Sequence, residues 1–304
     1  MFFNEKLFNV FLTESRHILQ PSVKLRINKR AMNFFQISEF FRFFRTARTK
    51  YQLHSPFVFE LACAVLEDER WFYAFRDVEG IRAQMLKSDL ALNLTCFEHS
   101  GLNLLSHSHK RSVRSIARRT GSSARQGQIL FRLANHLQPR MILELGTSLG
   151  IGTMYLASAV QTTRFLSLEG SPEIAQVARI NLNWLGLSKN VEVREGPFDH
   201  TLITALKDLN RLDLVFFDGD HHLESPFDYF EECLSFSHEK TVFVFDDMHG
   251  SKGMSAAWEQ IKCHPRVTLT LDFFELSLAF MDPDFREKQH FNILPARWKP
   301  WLFF

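Results

Sequence analysis

Two apolar runs of the sequence end in carboxylates. The run Leu212–Phe217 is followed by Asp218, and the run Thr241–Phe245 is followed by Asp246 and Asp247. If the runs are neighbouring parallel strands, their carboxyl ends meet at one edge of a sheet, where the three aspartates would repel one another. A divalent cation such as Mg²⁺ would remove that repulsion, because it takes oxygen ligands and keeps waters that a substrate can replace. We therefore expect Asp218, Asp246 and Asp247 to be metal ligands, since structural capping explains one such aspartate but not three.

Histidines close to these carboxylates are the candidate proton acceptors. His221 and His222 follow Asp218 within one polar segment, and His249 follows Asp247. Because imidazole exchanges a proton near neutral pH, such a histidine could act as a general base toward a bound hydroxyl group. We expect His221 and His222 to be catalytic, and His249 is a competing base. Each of the three could also be an ordinary solvated loop histidine.

A glycine-rich turn marks the candidate cofactor site. The apolar segment Met141–Leu145 contains Glu144, and Gly146, Gly150 and Gly152 follow before an apolar helical pattern begins. A buried strand, a tight turn and a helix start bind nucleotide-like ligands at the carboxyl end of a parallel strand. The glycine spacing differs from the dinucleotide fingerprint, and the lysine of a phosphate loop is missing. The segment predicts either another nucleoside-like ligand or an ordinary strand–turn–helix unit.

A second acidic residue ends the next predicted strand. Glu169 closes the run Arg164–Glu169, and Gly170 begins the turn into a helix. A carboxylate in this place can accept hydrogen bonds from both hydroxyl groups of a ribose. Several cofactors contain such a ribose, so Glu169 supports a nucleoside ligand without choosing one. An acid at a helix start is also mildly favourable in itself.

Alternating strand and helix patterns position these residues. From residue 141 onward the alternation is typical of a parallel α/β sheet. Val267–Leu271 and Leu276–Met281 are joined without room for a helix, so they should form an antiparallel pair. The preceding strands are expected near residues 141–145, 164–169, 190–194, 212–217 and 240–245.

The N-terminal part is expected to be largely helical. Residues 33–50 have the pattern of an amphipathic helix, with Phe34, Ile37, Phe41 and Phe44 at helical spacing and arginines largely elsewhere. Such a helix could dock its phenylalanines on the main domain, or it could contact nucleic acid or an anionic membrane surface. Further helices are expected at residues 57–87, 113–117 and 122–137, with an irregular segment at 88–110.

Composition narrows the class of protein. The 304 residues carry a net charge of only +2, so the whole chain is not an obvious binder of polyanions. No apolar run approaches the ~20 residues of a membrane span, and the first residues lack a signal-peptide layout, so we expect a cytoplasmic protein. The expected parts are a mobile extension at 1–31, a helical cap at 32–110, the sheet domain at 111–292 and an aromatic tail at 293–304.

The glycine turn resembles the first motif of class I S-adenosylmethionine (SAM) methyltransferases, Glu/Asp-x-Gly-x-x-x-Gly-x-Gly. The resemblance implies an α/β, Rossmann-like sheet of five parallel strand units followed by an antiparallel terminal hairpin, with an N-terminal helical extension. It also implies that the turn at 196–199 borders the adenine, although Phe198 is equally suited to a plain core position. The cofactor residues it implies are Glu144, Gly146, Thr147, Ser148, Gly150, Gly152, Glu169, Gly196, Phe198, Asp199 and Asp218.

The span from Leu212 to about Gly250 is similar to cation-dependent O-methyltransferases of the catechol and caffeoyl-CoA type. The resemblance implies that Asp218, Asp246 and Asp247 bind the metal and that His221 occupies the position of the family's lysine base. Histidine departs from that pattern, which weakens the inference that the acceptor is a catechol. Residues 111–292 as a whole also resemble uncharacterised bacterial SAM methyltransferases that share the phrase Glu-Leu-Gly-Thr-Ser-Leu-Gly.

The resulting hypothesis is a SAM-dependent O-methyltransferase for a small-molecule hydroxyl group, assisted by Mg²⁺ if a metal binds. An RNA-modifying methyltransferase remains an alternative, using residues 33–50 and four arginines. A non-catalytic SAM-binding scaffold is a second alternative, and a homodimer is left open. An NAD-dependent enzyme is disfavoured by the glycine spacing. The arginines in question are Arg111, Arg114, Arg118 and Arg119.

Overall fold

A computed structural model of the chain describes residues 34–100, 103–119, 122–218 and 226–299, with the backbone alone for 96–100 and 103–107. The expectations for residues 1–31 and for the last residues of the aromatic tail lie outside this range.

Helices and one β-hairpin make up the N-terminal part. The hairpin strands are antiparallel, and Ala91 pairs with Ser112 at their base. In chain order the elements are α1 (Phe34–Thr46), α2 (Pro56–Val65), α3 (Tyr73–Met85), β1 (Ala91–Ser100), β2 (Asn103–Ser112), α4 (Val113–Arg119) and α5 (Ala124–Leu137).

An eight-stranded sheet follows, with helices between its parallel strands. Its strands are β3 (Met141–Leu145), β4 (Arg164–Glu169), β5 (Val191–Glu195), β6 (Leu212–Phe217), β7 (Ser237–Asp246), β8 (Leu269–Asp272), β9 (Leu276–Phe280) and β10 (Gln289–Asn292). The helices are α6 (Ile151–Ala159), α7 (Pro172–Trp184), α8 (Phe198–Leu209), α9 (Pro226–Leu234) and α10 (Lys252–Cys263).

The strand order is β10–β8–β9–β7–β6–β3–β4–β5. Strands β3 to β7 are mutually parallel, whereas β9 is antiparallel to both β7 and β8. The central strands are buried on both faces, as the continuous apolar runs predict. This arrangement confirms the predicted α/β class I methyltransferase sheet. It also brings the carboxyl ends of β3, β4, β6 and β7 to one edge.

The segment predicted to be irregular is different in the structure. Residues 88–110 contain most of the β1–β2 hairpin, so that expectation is wrong. Leu92 and Leu94 are buried and the residues between and after them are more exposed, which is the alternation of a half-buried strand. The predicted helix at 57–87 is also interrupted, because the Asp68 side chain accepts the Arg70 N–H at 2.9 Å and thereby competes with helical hydrogen bonding. Strand β10 was not predicted.

Helix α1 docks through a different set of aromatic residues from the one that the spacing suggested. Phe43 is buried beside Leu294, and Phe40 contacts Phe274 with ring centroids 5.1 Å apart. Three members of the predicted stripe face outward instead, with Phe34 88%, Phe41 67% and Ile37 41% exposed. The fourth, Phe44, is partly buried and packs beside Phe43. Among the residues described, none of the helices has the length and apolarity needed to cross a bilayer.

Candidate cofactor and metal site

The turn after β3 is held in a left-handed backbone conformation. Gly146, Ser148 and Gly150 have φ angles of 103°, 48° and 84°. The N–H of Gly146 donates to the Leu168 carbonyl at 2.9 Å, which fixes the turn against the end of β4. Glycine adopts such angles without a Cβ penalty, whereas Ser148 occupies a region that other residues seldom visit. The predicted cofactor turn is therefore a strained and well-defined backbone loop.

Glu144 is fully buried beneath this turn. Its Oε2 accepts hydrogen bonds from the Thr153 hydroxyl at 2.6 Å and the Ser167 hydroxyl at 2.5 Å. Its Oε1 has no hydrogen-bond partner among the described residues. Burial raises the pKa of Glu144 to about 7, against the two hydroxyl donors, which lower it. One buried acceptor atom is thus available to a donor or cation that enters the site.

Gly152 keeps the space beside that atom open. A Cβ at this position would lie 3.2 Å from the Phe216 ring, 3.3 Å from the Ser122 hydroxyl and 3.4 Å from Glu144 Oε1. Any larger residue would crowd all three groups, so a glycine here preserves access to the unpartnered oxygen.

Glu169 links the glycine turn to the start of α7. Its Oε2 accepts the Ser148 N–H at 2.8 Å, and its Oε1 accepts the Ser171 N–H at 2.9 Å. Each carboxylate oxygen has a second lone pair. The carboxylate is therefore fixed by backbone donors from both the glycine turn and the start of α7.

The turn at 196–199 lies beside Glu169. Gly196 has a φ of 134° and donates its N–H to the Glu169 carbonyl at 2.9 Å. Phe198 is 92% buried and packs edge-on against Tyr229, so it occupies the core position that was the alternative to bordering the adenine. The Asp199 carboxylate is exposed and accepts the Tyr229 hydroxyl at 3.0 Å.

Two of the three predicted metal ligands come together. The N–H of Asp218 donates to the Leu145 carbonyl at 2.9 Å, which places the end of β6 against the glycine turn. Burial raises the pKa of Asp218 well above its usual range, and the neighbouring charges of Asp246 and Glu144 add to the effect. Asp218 also accepts the Ser122 hydroxyl at 3.4 Å. The two aspartates thus form a close pair of carboxyl groups at this edge.

Asp247 turns back over its own loop. Its φ is 51°, and its Oδ2 lies 2.7 Å from where a Cβ on Gly250 would stand. Within the described part of the chain, no group of three or more His, Cys, Asp or Glu side chains is arranged to hold a metal ion. Of the three predicted ligands, Asp218 and Asp246 interact directly in the described structure, and the metal-binding role of all three stays a prediction.

The histidines divide into two cases. His221 and His222 lie outside the described residues. His249 is buried, bonds Asp272 at 2.8 Å and stacks on Phe274. Burial lowers the pKa of His249, but the hydrogen bond and charge of Asp272, with the charge of Glu39, outweigh it, so the pKa is raised. His249 is held in a structural contact, which makes it a poor candidate for the base.

Sequence reasoning missed several polar residues of the site. Gln126 donates from its side chain to Asp246 Oδ1 at 2.6 Å. Ser123 and Gln126 form a capping box at the start of α5, and the Ser-x-x-Gln pattern signals such a helix start. The reach of Gln126 to Asp246 depends on how α5 packs against β7, for which the local pattern holds no signal.

The strand order, together with the glycine turn at the carboxyl ends of the parallel strands, defines a methyltransferase-like α/β protein. Comparisons with known proteins agree with this class. Residues 143–248 match the family model described as a methyltransferase domain. A catechol O-methyltransferase from Mycobacterium tuberculosis is 37% identical over 139 residues, which cover 45% of this chain and 61% of that protein. A catechol O-methyltransferase from Niastella koreensis is 33% identical over 129 residues, covering 41% and 57%.

A solved structure is also similar to this chain. The O-methyltransferase from Bacillus cereus in complex with SAH is 22% identical, with a TM-score of 0.48, and the match covers 73% of this chain and 96% of that one. The chain spans about three fifths of the length of the two bacterial relatives. The family match runs from β3 to the loop after β7, so it includes both the glycine turn and the acidic edge. The match to this family model and to the two relatives confirms the predicted resemblance to methyltransferases.

Proposed function

We propose that the chain is a SAM-dependent O-methyltransferase that acts on a hydroxyl group of a small molecule. The observation that carries the proposal is the buried, unpartnered Oε1 of Glu144 beneath a left-handed glycine turn. An acceptor atom in that place suits the cationic methionine end of SAM, whereas a pyrophosphate would be repelled by it. The names of the matched relatives support oxygen as the methyl acceptor.

The proposed cofactor site runs along the sheet edge. The turn Gly146–Gly152, with Thr147 and Ser148, would hold the methionine part above Glu144. Glu169 would accept hydrogen bonds from the ribose hydroxyl groups, and the turn at 196–199 would border the adenine. When bound, SAM supplies an electrophilic methyl group, so these residues need only bind, orient and exclude water while an acceptor is aligned for in-line transfer.

A divalent cation remains part of the proposal. Asp218 and Asp246 offer the carboxylate oxygens that Mg²⁺ prefers. Burial raises the pKa of Asp218, the charges of Asp246 and Glu144 raise it further, and a cation would relieve the part that is due to charge. Asp247 would join them only if its carboxylate left its position over Gly250. A metal at this edge would lower the pKa of the acceptor hydroxyl and orient it. His221, or in its place His222, would then take the proton.

Calorimetry provides the first test. The chain should bind S-adenosylhomocysteine (SAH) in the presence of a chelator and should not bind NAD measurably. Tight NAD binding without SAH binding would refute the proposed cofactor. Methyl transfer from radiolabelled SAM to catechol and to simple monohydric phenols, with and without Mg²⁺, then tests the acceptor class and the metal.

Matched variants separate the roles in that assay. Asp218→Asn should abolish the dependence on Mg²⁺, whereas Asp228→Asn, at an acid in the first turn of α9, should leave it unchanged. SAH binding without transfer to any acceptor would instead favour the scaffold alternative. Strongly salt-dependent binding of RNA would favour the RNA alternative. The cytoplasmic location and the homodimer stay predictions.

A further inference from the structure

The outer edge of strand β1 donates its backbone hydrogen bonds to the start of helix α7. The N–H of Asn93 reaches the Glu173 carboxylate at 2.7 Å, and the N–H of Thr95 reaches the Ser171 hydroxyl at 3.3 Å. Residues two apart point their N–H groups to the same side of a strand, so the outward donors of Asn93 and Thr95 both end on α7. This part of the hairpin's outer edge is thereby covered.

Side chains reinforce this junction. The Asn93 side-chain amide donates to the second oxygen of Glu173, also at 2.7 Å. Glu173 therefore accepts two hydrogen bonds from one residue about 80 positions earlier in the chain. Hydrogen bonds to a carboxylate are stronger than those between neutral groups.

Ser171 has an unusual part in the contact. It occupies the N-cap of α7, where a serine side chain ordinarily accepts an N–H of its own helix. Here its hydroxyl makes no such bond; it accepts from Thr95 and donates to the Asn93 carbonyl at 3.4 Å. Ser171 itself is only 2% exposed, and its hydrogen bonds to the hairpin are partly buried. The N-cap of α7 is committed to the hairpin.

The same serine fixes the carboxylate at the end of β4. Its backbone N–H donates to Glu169 Oε1 at 2.9 Å, while the other oxygen of Glu169 is held by Ser148 in the glycine turn. The Glu169 carboxylate is therefore held by backbone donors from the glycine turn and from the start of α7, and the hairpin is hydrogen-bonded to the second of these. Displacing Ser171 would remove a backbone donor that helps to set the direction of this carboxylate.

We propose that Asn93 and Glu173 are positioning residues that hold Glu169 in the geometry needed to bind the ribose of the cofactor. The β1–β2 hairpin thus takes part in cofactor recognition through its base, and neither residue touches the cofactor. This inference rests on the proposed function, because it needs a ligand with ribose hydroxyl groups at Glu169.

A ligand lacking one hydroxyl group tests the geometry directly. Wild-type protein should bind SAH about tenfold or more tightly than its 2′-deoxy analogue, because a hydroxyl group bonded to a carboxylate is lost. In Glu173→Ala that preference should shrink to about threefold or less, since a misdirected carboxylate discriminates poorly. Glu173→Gln, which keeps one acceptor oxygen, should restore part of it. Glu259→Ala, at an exposed glutamate of α10, should retain the full preference.

The outcomes separate this inference from the function on which it rests. A full 2′-hydroxyl preference in Glu173→Ala would overturn it, even if the variant were less stable, because a purely structural contact changes stability and not the ratio of two affinities. If Glu173→Ala does not fold, Asn93→Asp, which faces Glu173 with a like charge, replaces it with the same expectations. Wild-type protein that binds SAH without any 2′-hydroxyl preference would also overturn the inference. Failure of wild-type protein to bind SAH would overturn the proposed function as well.

Discussion

The buried carboxyl group of Glu144 should make cofactor binding depend on pH. Its pKa of about 7 means that roughly half of the unliganded molecules carry a proton there at neutral pH. If the cationic end of SAM binds beside Oε1, only the ionised form is competent, and binding releases the proton. The Glu144→Gln variant removes the titration and keeps the size of the side chain.

The magnitude follows from the ionised fraction. With a pKa of about 7, roughly a tenth of the molecules are competent at pH 6 and half at pH 7, so the apparent affinity for SAM should rise about fivefold over that unit. The affinity of Glu144→Gln should be weaker and nearly flat over the same range. Restricting the comparison to pH 6–7 keeps the amino group of SAM itself mainly protonated.

The same shift affects stability, with a definite sign. Because the pKa of this acid is raised in the native state, that state holds more protons than the unfolded chain between about pH 4.5 and pH 7. As the pH rises through that window, the free energy of unfolding should fall by roughly 3 kcal/mol relative to that of Glu144→Gln.

Calorimetry in buffers of different ionisation enthalpy measures the linked proton, with a chelator present. About half a proton should leave per SAM bound at pH 7 in wild-type protein, and none from this position in Glu144→Gln. Equal pH profiles for the two proteins would refute the reasoning, because Glu144 would then either not titrate near neutrality or not face the cofactor.

Three further substitutions test the packing and the charges in the described structure. Gly127→Ala should destabilise the fold by about 1–3 kcal/mol in urea unfolding, because its Cβ would lie 2.2 Å from the ring of Tyr155. Gly80→Ala, a helical glycine with nothing within 4 Å, should instead stabilise it by about 0.5–1 kcal/mol; a similar sign for both would contradict the predicted clash. Gln126→Glu keeps a residue suited to the capping box but sets a second carboxylate against Asp246, so it should lower stability by about 1–3 kcal/mol at pH 8 and by less at pH 5. An equal loss at both pH values would mean that Gln126 does not face Asp246.

Much of the sheet could be predicted because its signals are local. Strands β3, β4 and β6 have the predicted boundaries. Each is a largely apolar run with an acidic residue within one position of its carboxyl end, and a turn follows. The antiparallel pair β8 and β9 was equally accessible, since the short link between two apolar runs leaves no room for a helix. Strand β10 pairs with β8 at the edge of the sheet, and its four residues Gln289–Asn292 carry too little apolar pattern to be recognised.

The direction in which a side chain points was harder to predict. Helical spacing identified aromatic residues in α1, but several aromatic stripes overlap there, and docking on Phe274 selected the stripe containing Phe40 and Phe43. The sequence allowed Phe198 either to cover the adenine ring or to lie in the core, and its contact with Tyr229 places it in the core. In each case the deciding contact comes from an element far away in the sequence, which a local pattern does not contain.

The two halves of the candidate site are electrostatically connected. Asp218 lies between them, and both Glu144 on the cofactor side and Asp246 on the metal side raise its pKa through their charges. A cation beside Glu144 and a cation beside Asp246 would each reduce the repulsion between these carboxylates and Asp218. Either cation therefore lowers the free energy of ionising Asp218. A coupling of this kind is reciprocal by thermodynamic necessity. Binding of a cationic cofactor and of a divalent metal should therefore favour each other, although no described residue need touch both.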